Sequence, residues 1–594
     1  MKVSFKPLSL AIAVSAAVAG YAGSINATPT LAGNTVLGDA AIVPYYTVRG
    51  DWTTGVSIIN TSASTQVVKV RLRRATDSMD VLDFNLVLSP EDVWTGFLEN
   101  NTAPGEEDQM RFYSNDNSCT VPAMTANASG APYFAVPALY SDFAEEGYIE
   151  IIGMGASLVE QYPLAIAALH NKTTGIPLSC AGLQNNFLRY SGKVVNVVTP
   201  SIAAENTTFA GGLCPVTNPV TPPPGNKCST NNSKDNGVVN GTQTVVGGYI
   251  TNYKKPGNFM KVSWFIKDTT TGIEMGDNAV MLADFMDGPS MTNQLPQSLT
   301  VEDLQGYDYP DLDGGAPLTA GIKGVEFPTG VPAQPTAVLG TGASNKQYND
   351  VRAILGAGSA INDWSKNVKA DLSVDTDWVV TVPGQYTMLN LPVYIASITG
   401  TSAFDPTSKK ANPGCIRGDK NTFPPTGEVV APATKAVIGC DYRDLPLTIT
   451  PLVYDREEQS ETVPNDQIVI SPTPPGTVVT NELYYEVNVI QWGSKPVLDA
   501  AASTAITVDL KGAVNGWAQL DMTSTKLTTQ AVCNYVITAN ADATKAATGA
   551  LTCDTATGSA PIVGFAAWQR SFEANPDANY GRAIGNSYGP AASK

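Results

Sequence analysis

Alternation of apolar and polar side chains with a period of two constrains this chain more than any other feature. Val68, Val70 and Leu72 alternate with Lys69, Arg71 and Arg73, and Leu82, Phe84, Leu86 and Leu88 alternate with Asp83, Asn85 and Val87. A strand places successive side chains on opposite faces, so this pattern predicts one face in a core and one in water. Further β-type runs lie at Tyr148–Ile152, Val194–Val198, Val262–Ile266, Trp378–Val382, Val393–Ile398 and Leu483–Trp492. Turn residues punctuate them at Arg49-Gly50-Asp51, Thr271-Gly272 and Asn515-Gly516. Many short strands between Gly, Asn and Pro turns predict a mainly β fold. We expect two or three β-sandwich-like domains with few short helices, stapled by disulfides. Helical spacing is confined to Val351, Ile354, Leu355 and Ile361, where Gly356 and Gly358 weaken it.

Pro/Gly-rich stretches divide the chain. The expected organisation is a signal peptide at 1–27, an N-terminal β-domain at 28–210, a Pro/Asn-rich loop at 211–240, a middle β-region with a short helix at 241–400, and a C-terminal β-domain at 401–594. The signal peptide is read from Lys2 and Lys6, the apolar run Leu8–Ala22, and small residues suited to cleavage after Ala22 or Ala27. That run is short for a membrane span, which needs roughly 20 apolar residues. No later stretch reaches that length, so no transmembrane helix is expected. The terminal segment Gly589–Lys594 has neither the apolar tail of an anchor nor the last aromatic residue of an outer-membrane barrel. Export to the cell exterior or outer surface is expected, with the periplasm as the alternative.

Charge narrows the partners. The net charge is −18, and only 15 % of residues are charged. Nucleic acid and anionic membranes both require clustered Lys and Arg. The densest basic cluster, Arg71-Leu72-Arg73-Arg74, is too small to reverse that balance. Self-association and surface polysaccharide remain as partners.

Eight cysteines, Cys119, Cys180, Cys214, Cys228, Cys415, Cys440, Cys533 and Cys553, form four sequential couples without a Cys-x-x-Cys motif. In an oxidising compartment local pairing is the simplest connectivity: 119–180, 214–228, 415–440 and 533–553. With one histidine in the chain, zinc and c-type haem sites have no ligand set. Calcium is the one metal with a candidate site. Asp308, Asp311 and Asp313 put three carboxylates in six residues before Gly314-Gly315, which suits hard oxygen ligation. An EF-hand loop is not matched.

Catalytic patterns are sparse. His170 is the only base available for a serine nucleophile, no Gly-x-Ser-x-Gly elbow occurs, and a structural His170 is expected. Phosphate-cradling glycine loops are absent. Paired carboxylates for glycan hydrolysis could come from Glu91/Asp92, Glu145/Glu146, Asp371/Asp375/Asp377 or Glu457/Glu458. The eight tryptophans are dispersed singly, as core residues of strands are.

Three stretches carry a resemblance. Ala41–Gly96 contains Val43-Pro-Tyr-Tyr46 and Leu82-Asp-Phe-Asn-Leu-Val-Leu-Ser-Pro-Glu-Asp-Val-Trp-Thr-Gly96. Thr376–Val382 reads TDWVVTV, and the end carries Pro561–Arg570 followed by Asn579-Tyr-Gly-Arg582. Together they resemble an uncharacterised family of large secreted, β-rich surface proteins of environmental Gram-negative bacteria. In that family Trp-Val-Val-Thr continues with Phe-Pro-Thr-Lys, whereas here Val382-Pro383-Gly384-Gln385 follows. The resemblance implies an exported surface protein and supplies no catalytic residue. The first expectation is therefore a non-enzymatic structural protein of a surface layer, filament or matrix. The alternative is a carbohydrate- or ligand-binding module, with calcium as its possible cofactor, and a carboxylate-based glycan hydrolase comes third.

Overall fold

The computed structural model describes the chain chiefly over residues 30–183, 253–288, 346–384 and 447–589, with short breaks inside those stretches and isolated two-residue strands between them. The leader at 1–27 and the runs at 194–198 and 393–398 lie outside the described residues. The fold is mainly β with few helices, and among the described residues the strand pairs are antiparallel apart from one parallel pair, Val487–Gln491 with Ser503–Ile506.

Two sheets form a sandwich. The first runs Thr30–Gly33, Val280–Ala283, Ala40–Thr47, Glu146–Ser157, Gln66–Arg74, Asp80–Leu88 and Cys119–Val121, with Tyr253–Lys254 added to the Glu146–Ser157 strand. The second runs Glu274–Asn278, Met260–Asp268, Trp52–Asn60, Val93–Asn101, Gln109–Tyr113, Pro132–Ala135 and Thr125–Ala126. Both take strands from 260–283 as well as from the N-terminal stretch, so the sandwich crosses the sequence boundaries drawn at 210 and 241. Phe84 of the first sheet meets Trp94, Phe112 and Phe134 of the second at centroid distances of 5.7, 5.6 and 4.7 Å. Val70, Leu72, Ile149 and Ile151 face the same core from the first sheet, and Val56, Ile58 and Trp264 from the second.

The polar face of the Gln66–Arg74 strand departs from the expectation of a wet face. All nine residues of this strand are buried. Lys69 and Arg71 pair with Asp83 at 3.1 and 3.5 Å, and Arg73 pairs with Glu150 at 3.4 Å. The C-terminal half covers part of this face. The Tyr148 hydroxyl, which sits on it, donates to Glu150 at 3.0 Å and accepts from the Gly384 N–H at 3.1 Å. The alternation was real, but the second partner of the sheet is protein rather than water.

The third sheet has eleven strands centred on Ser359–Lys369, Leu372–Thr381 and Val563–Ser571. Its own core gathers Trp364, Trp378, Trp492, Trp568 and Leu520. It is joined to the sandwich by shared packing: Phe565 lies 4.9 Å from Trp264 and 6.4 Å from Tyr45. The helix Lys346–Leu355 lays Val351 and Leu355 into the sandwich core. It ends before Gly356, and Ile361 belongs instead to the Ser359–Lys369 strand. Of the eight tryptophans only Trp517, at 39 % exposure, stands at the surface.

Cys119 and Cys180 form a disulfide that closes 61 residues. On chain-entropy grounds such a loop stabilises by about 4 kcal/mol. Backbone register sets Cys533 opposite Cys553, and Cys214 lies in the two-residue strand Cys214–Pro215. Cys228, Cys415 and Cys440 lie outside the described residues.

Two substitutions test this packing. Phe84→Ala removes the ring shared by both sheets and should cost about 3–5 kcal/mol in denaturant unfolding. Asp83→Ala removes a carboxylate that the buried Lys69 and Arg71 share and should cost about 3–5 kcal/mol by the same measurement.

Candidate functional site

The structure gathers three sets of residues, two of them built around expected site residues. The first is the Ser89–Asp92–His170 cluster. Ser89 and Asp92 bracket the turn between the Asp80–Leu88 and Val93–Asn101 strands, where Glu91 holds a positive φ of 60°. The Asp92 carboxylate closes the turn by accepting from the Ser89 N–H at 3.1 Å and the Ser89 hydroxyl at 3.2 Å. His170 follows the helix Pro163–Ala168, and its Nδ1 lies 3.1 Å from Ser89 Oγ and 3.7 Å from Asp92 Oδ2. Ser118 also donates to Asp92, at 3.3 Å, next to the Cys119–Cys180 bridge. A serine relay places nucleophile and carboxylate on opposite ring nitrogens. Here both meet Nδ1, so the geometry ties the 163–180 segment onto the sandwich.

The second set joins the halves. Glu146, at the start of the Glu146–Ser157 strand, accepts from the Tyr45 hydroxyl at 3.1 Å, from the Ala501 N–H at 2.7 Å and from Arg49 at 2.9 Å. Arg49 also donates to the Asp499 carbonyl at 3.1 Å. Asp377, on the Leu372–Thr381 strand, accepts from the Val497 and Leu498 N–H groups at 2.7 and 2.9 Å. The 497–501 segment is thus held from one side by the sandwich and from the other by the third sheet. Thr381 adds a bond from its hydroxyl to the Pro44 carbonyl at 2.6 Å, and the Val487 N–H bonds the Ala75 carbonyl at 3.0 Å.

Burial dominates the electrostatics of this join. It pushes Glu146 up to about 7 against the lowering effect of the Ala501 N–H and Arg49, and pushes Asp377 up to about 7 against its two backbone donors. Asp39, which accepts from the Phe285 and Met286 N–H groups, is raised by burial to about 6. Each group binds its proton more tightly folded than unfolded. The resulting stability is full below the ordinary carboxylate range and is lost as pH rises through the folded values.

Of the remaining candidates Glu145 shares Arg49 with Glu146, and the other described ones supply no second set. Glu145 makes a partly exposed ion pair with Arg49 at 3.3 Å. Asp375 accepts from Ser373 at 2.7 Å, and Glu457 sits in a hairpin turn whose N–H groups are held by Asp455. Asp311 is buried. Asp308 and Asp313, the other two carboxylates of the calcium reading, lie outside the described residues, as do Asp371 and Glu458. Among the described residues no group of three or more His, Cys, Asp and Glu side chains could hold a metal ion. Among the described residues no helix is long and apolar enough to cross a membrane.

The third set escaped the sequence reading: a row of aromatic residues on the outer face of the second sheet. Phe265, Gly55, Phe97, Tyr113 and Tyr133 are successive register partners across five strands. Phe97 stacks on Tyr113 at 5.4 Å, and Tyr113 meets Tyr133 at 5.5 Å. Strand alternation places each on the outward face, but only strand order shows that they are neighbours.

Comparison with protein-family models, with curated proteins and with solved structures finds no match for this chain.

The join gives a pH prediction. The thermal unfolding midpoint should fall as pH rises from about 5 to about 8. Glu146→Gln and Asp377→Asn should each flatten that slope, read by calorimetry at each pH.

Proposed function

We propose that the chain is an exported, non-enzymatic structural protein of the cell exterior, a component of a surface layer, filament or matrix. One observation carries this reading. The carboxylates best placed for acid–base chemistry, Glu146 and Asp377, are buried in the join and hold backbone N–H groups of the 497–501 segment. A glycan hydrolase needs two carboxyl groups flanking a bond of its substrate. These two instead face the interior of the protein and fasten one sheet system to another.

The supporting features agree in kind. Two sheet systems with a shared core make a block suited to bearing load. The Cys119–Cys180 bridge fits an oxidising compartment, as the expected signal peptide does. The sequence resemblance points toward the same surface location.

The experiment is immunogold electron microscopy of intact cells and shed material, paired with sedimentation of the purified mature protein. Labelled lattices, filaments or matrix, with concentration-dependent assembly in solution, are expected. Label confined to the cell interior, or a strict monomer at high concentration with diffuse label, would overturn the proposal.

A further inference from the structure

The outer face of the second sheet is banded, and the bands run across the strands. The central band is the aromatic row. Phe265, at 40 % exposure, has its ring in the space that a Cβ on Gly55 would occupy, so the phenyl group covers that glycine. Phe97 and Tyr133 are half-buried, and Tyr113 is packed between them. Five strands give the row a length of about 19 Å at one strand spacing per step.

A polar band lies on one side of this row. Asn278, Ser263, Ser57 and Thr95 are successive register partners, two residues along each strand from the aromatic positions and on the same face. A charged band lies on the other side: Glu274 is paired in register with Lys267, and Lys267 with Thr53. Glu99 continues that band on the next strand, and its register partner Arg111 is buried at 3 % exposure. The Arg111 guanidinium sits 4.4 Å above the Tyr133 ring and donates to the Tyr113 hydroxyl at 3.2 Å.

We propose that this face binds a neutral polysaccharide lying along the aromatic row. The banding selects the occupant. A linear glycan has apolar C–H faces flanked by hydroxyl groups at both margins. The Phe265 and Phe97 rings below it, hydroxyls and an amide along one edge, and the Lys267 and Glu274 charges along the other complement that profile. The row is one residue wide, which suits an extended polymer better than a globular surface with its broad apolar centre. Charged residues of both signs share the face on a chain of net charge −18, which disfavours a polyanion. Aromatic side chains supply contact area at small entropy cost because they rotate about only two bonds. This inference stands independently of self-assembly.

The test is native affinity electrophoresis of the full mature protein in gels containing hydroxyethyl cellulose, glucomannan, xylan or laminarin. Retardation in at least one gel is expected. Phe97→Ala and Phe265→Ala should each weaken it about tenfold, roughly the worth of one well-placed contact. Phe265→Ala uncovers Gly55 and could disturb the sheet, so Thr95→Lys serves as a second variant. It changes an exposed position in the polar band, leaves the core untouched, and should also reduce retardation. Trp517→Ala, on the third sheet, should leave it unchanged. Migration unaffected by all four polysaccharides, or retardation that survives both Phe97→Ala and Thr95→Lys, would overturn the proposal.

Discussion

The buried charged face of the first sheet is the constraint on which the rest of the architecture depends. Lys69, Arg71 and Arg73 stand on one side of a strand whose other side, Val68, Val70 and Leu72, belongs to the sandwich core. Removing charges from water costs several kcal/mol per ion unless partners are supplied in good geometry. Asp83 and Glu150 supply them from the two neighbouring strands. A slip of one residue would turn the cations into the aromatic core and the valines against the carboxylates. Both faces therefore specify one register.

That docking then follows from what the charged face requires. Tyr148 projects from it and is met by the Gly384 N–H, while Glu146 at the strand's start reaches the 497–501 segment. The interface is polar where a free-standing sandwich would have been wet and apolar where Phe565 enters beside Trp264. A purely apolar join of this size would tolerate sliding. Hydrogen bonds between named pairs such as Thr381–Pro44 and Val487–Ala75 fix its position.

Local pattern made much of the fold legible in the sequence, and its long-range pairing accounts for the rest. Alternation at 68–72, 82–88 and 262–266 identified strands because a strand's period is a local property. What it could not report was the material on each face, so Lys69 and Arg71 read as solvated. Nor could it report that the 260–268 strand pairs with 52–60 across almost two hundred intervening residues, which is why boundaries drawn from proline content cut through the sandwich. Ile361 shows the reverse failure: helical spacing carried it past Gly356, where the chain had already become a strand. The Ser89–Asp92–His170 cluster was invisible because its members lie on a turn and behind a helix, and only the fold brings His170 to 3.1 Å from Ser89 and 3.7 Å from Asp92.

The aromatic row illustrates the same limit in a form that bears on function. Each ring is unremarkable within its own strand, where Phe97 and Phe265 read as one more member of an alternating pattern. Their meaning is collective and perpendicular to the chain. Core rings need an opposing layer, as Phe84 finds in Trp94 and Phe112. Phe265 has glycine beneath it and solvent above, a placement that covers an otherwise bare stretch of backbone and leaves an apolar ring face outward. Sheet stability explains the covering of Gly55. It does not explain why an uninterrupted polar band from Asn278 to Thr95 runs beside the row, since cross-strand pairs on a solvated face can be filled in any order. Alignment of like residues across successive strands is what a ligand extended across those strands would require.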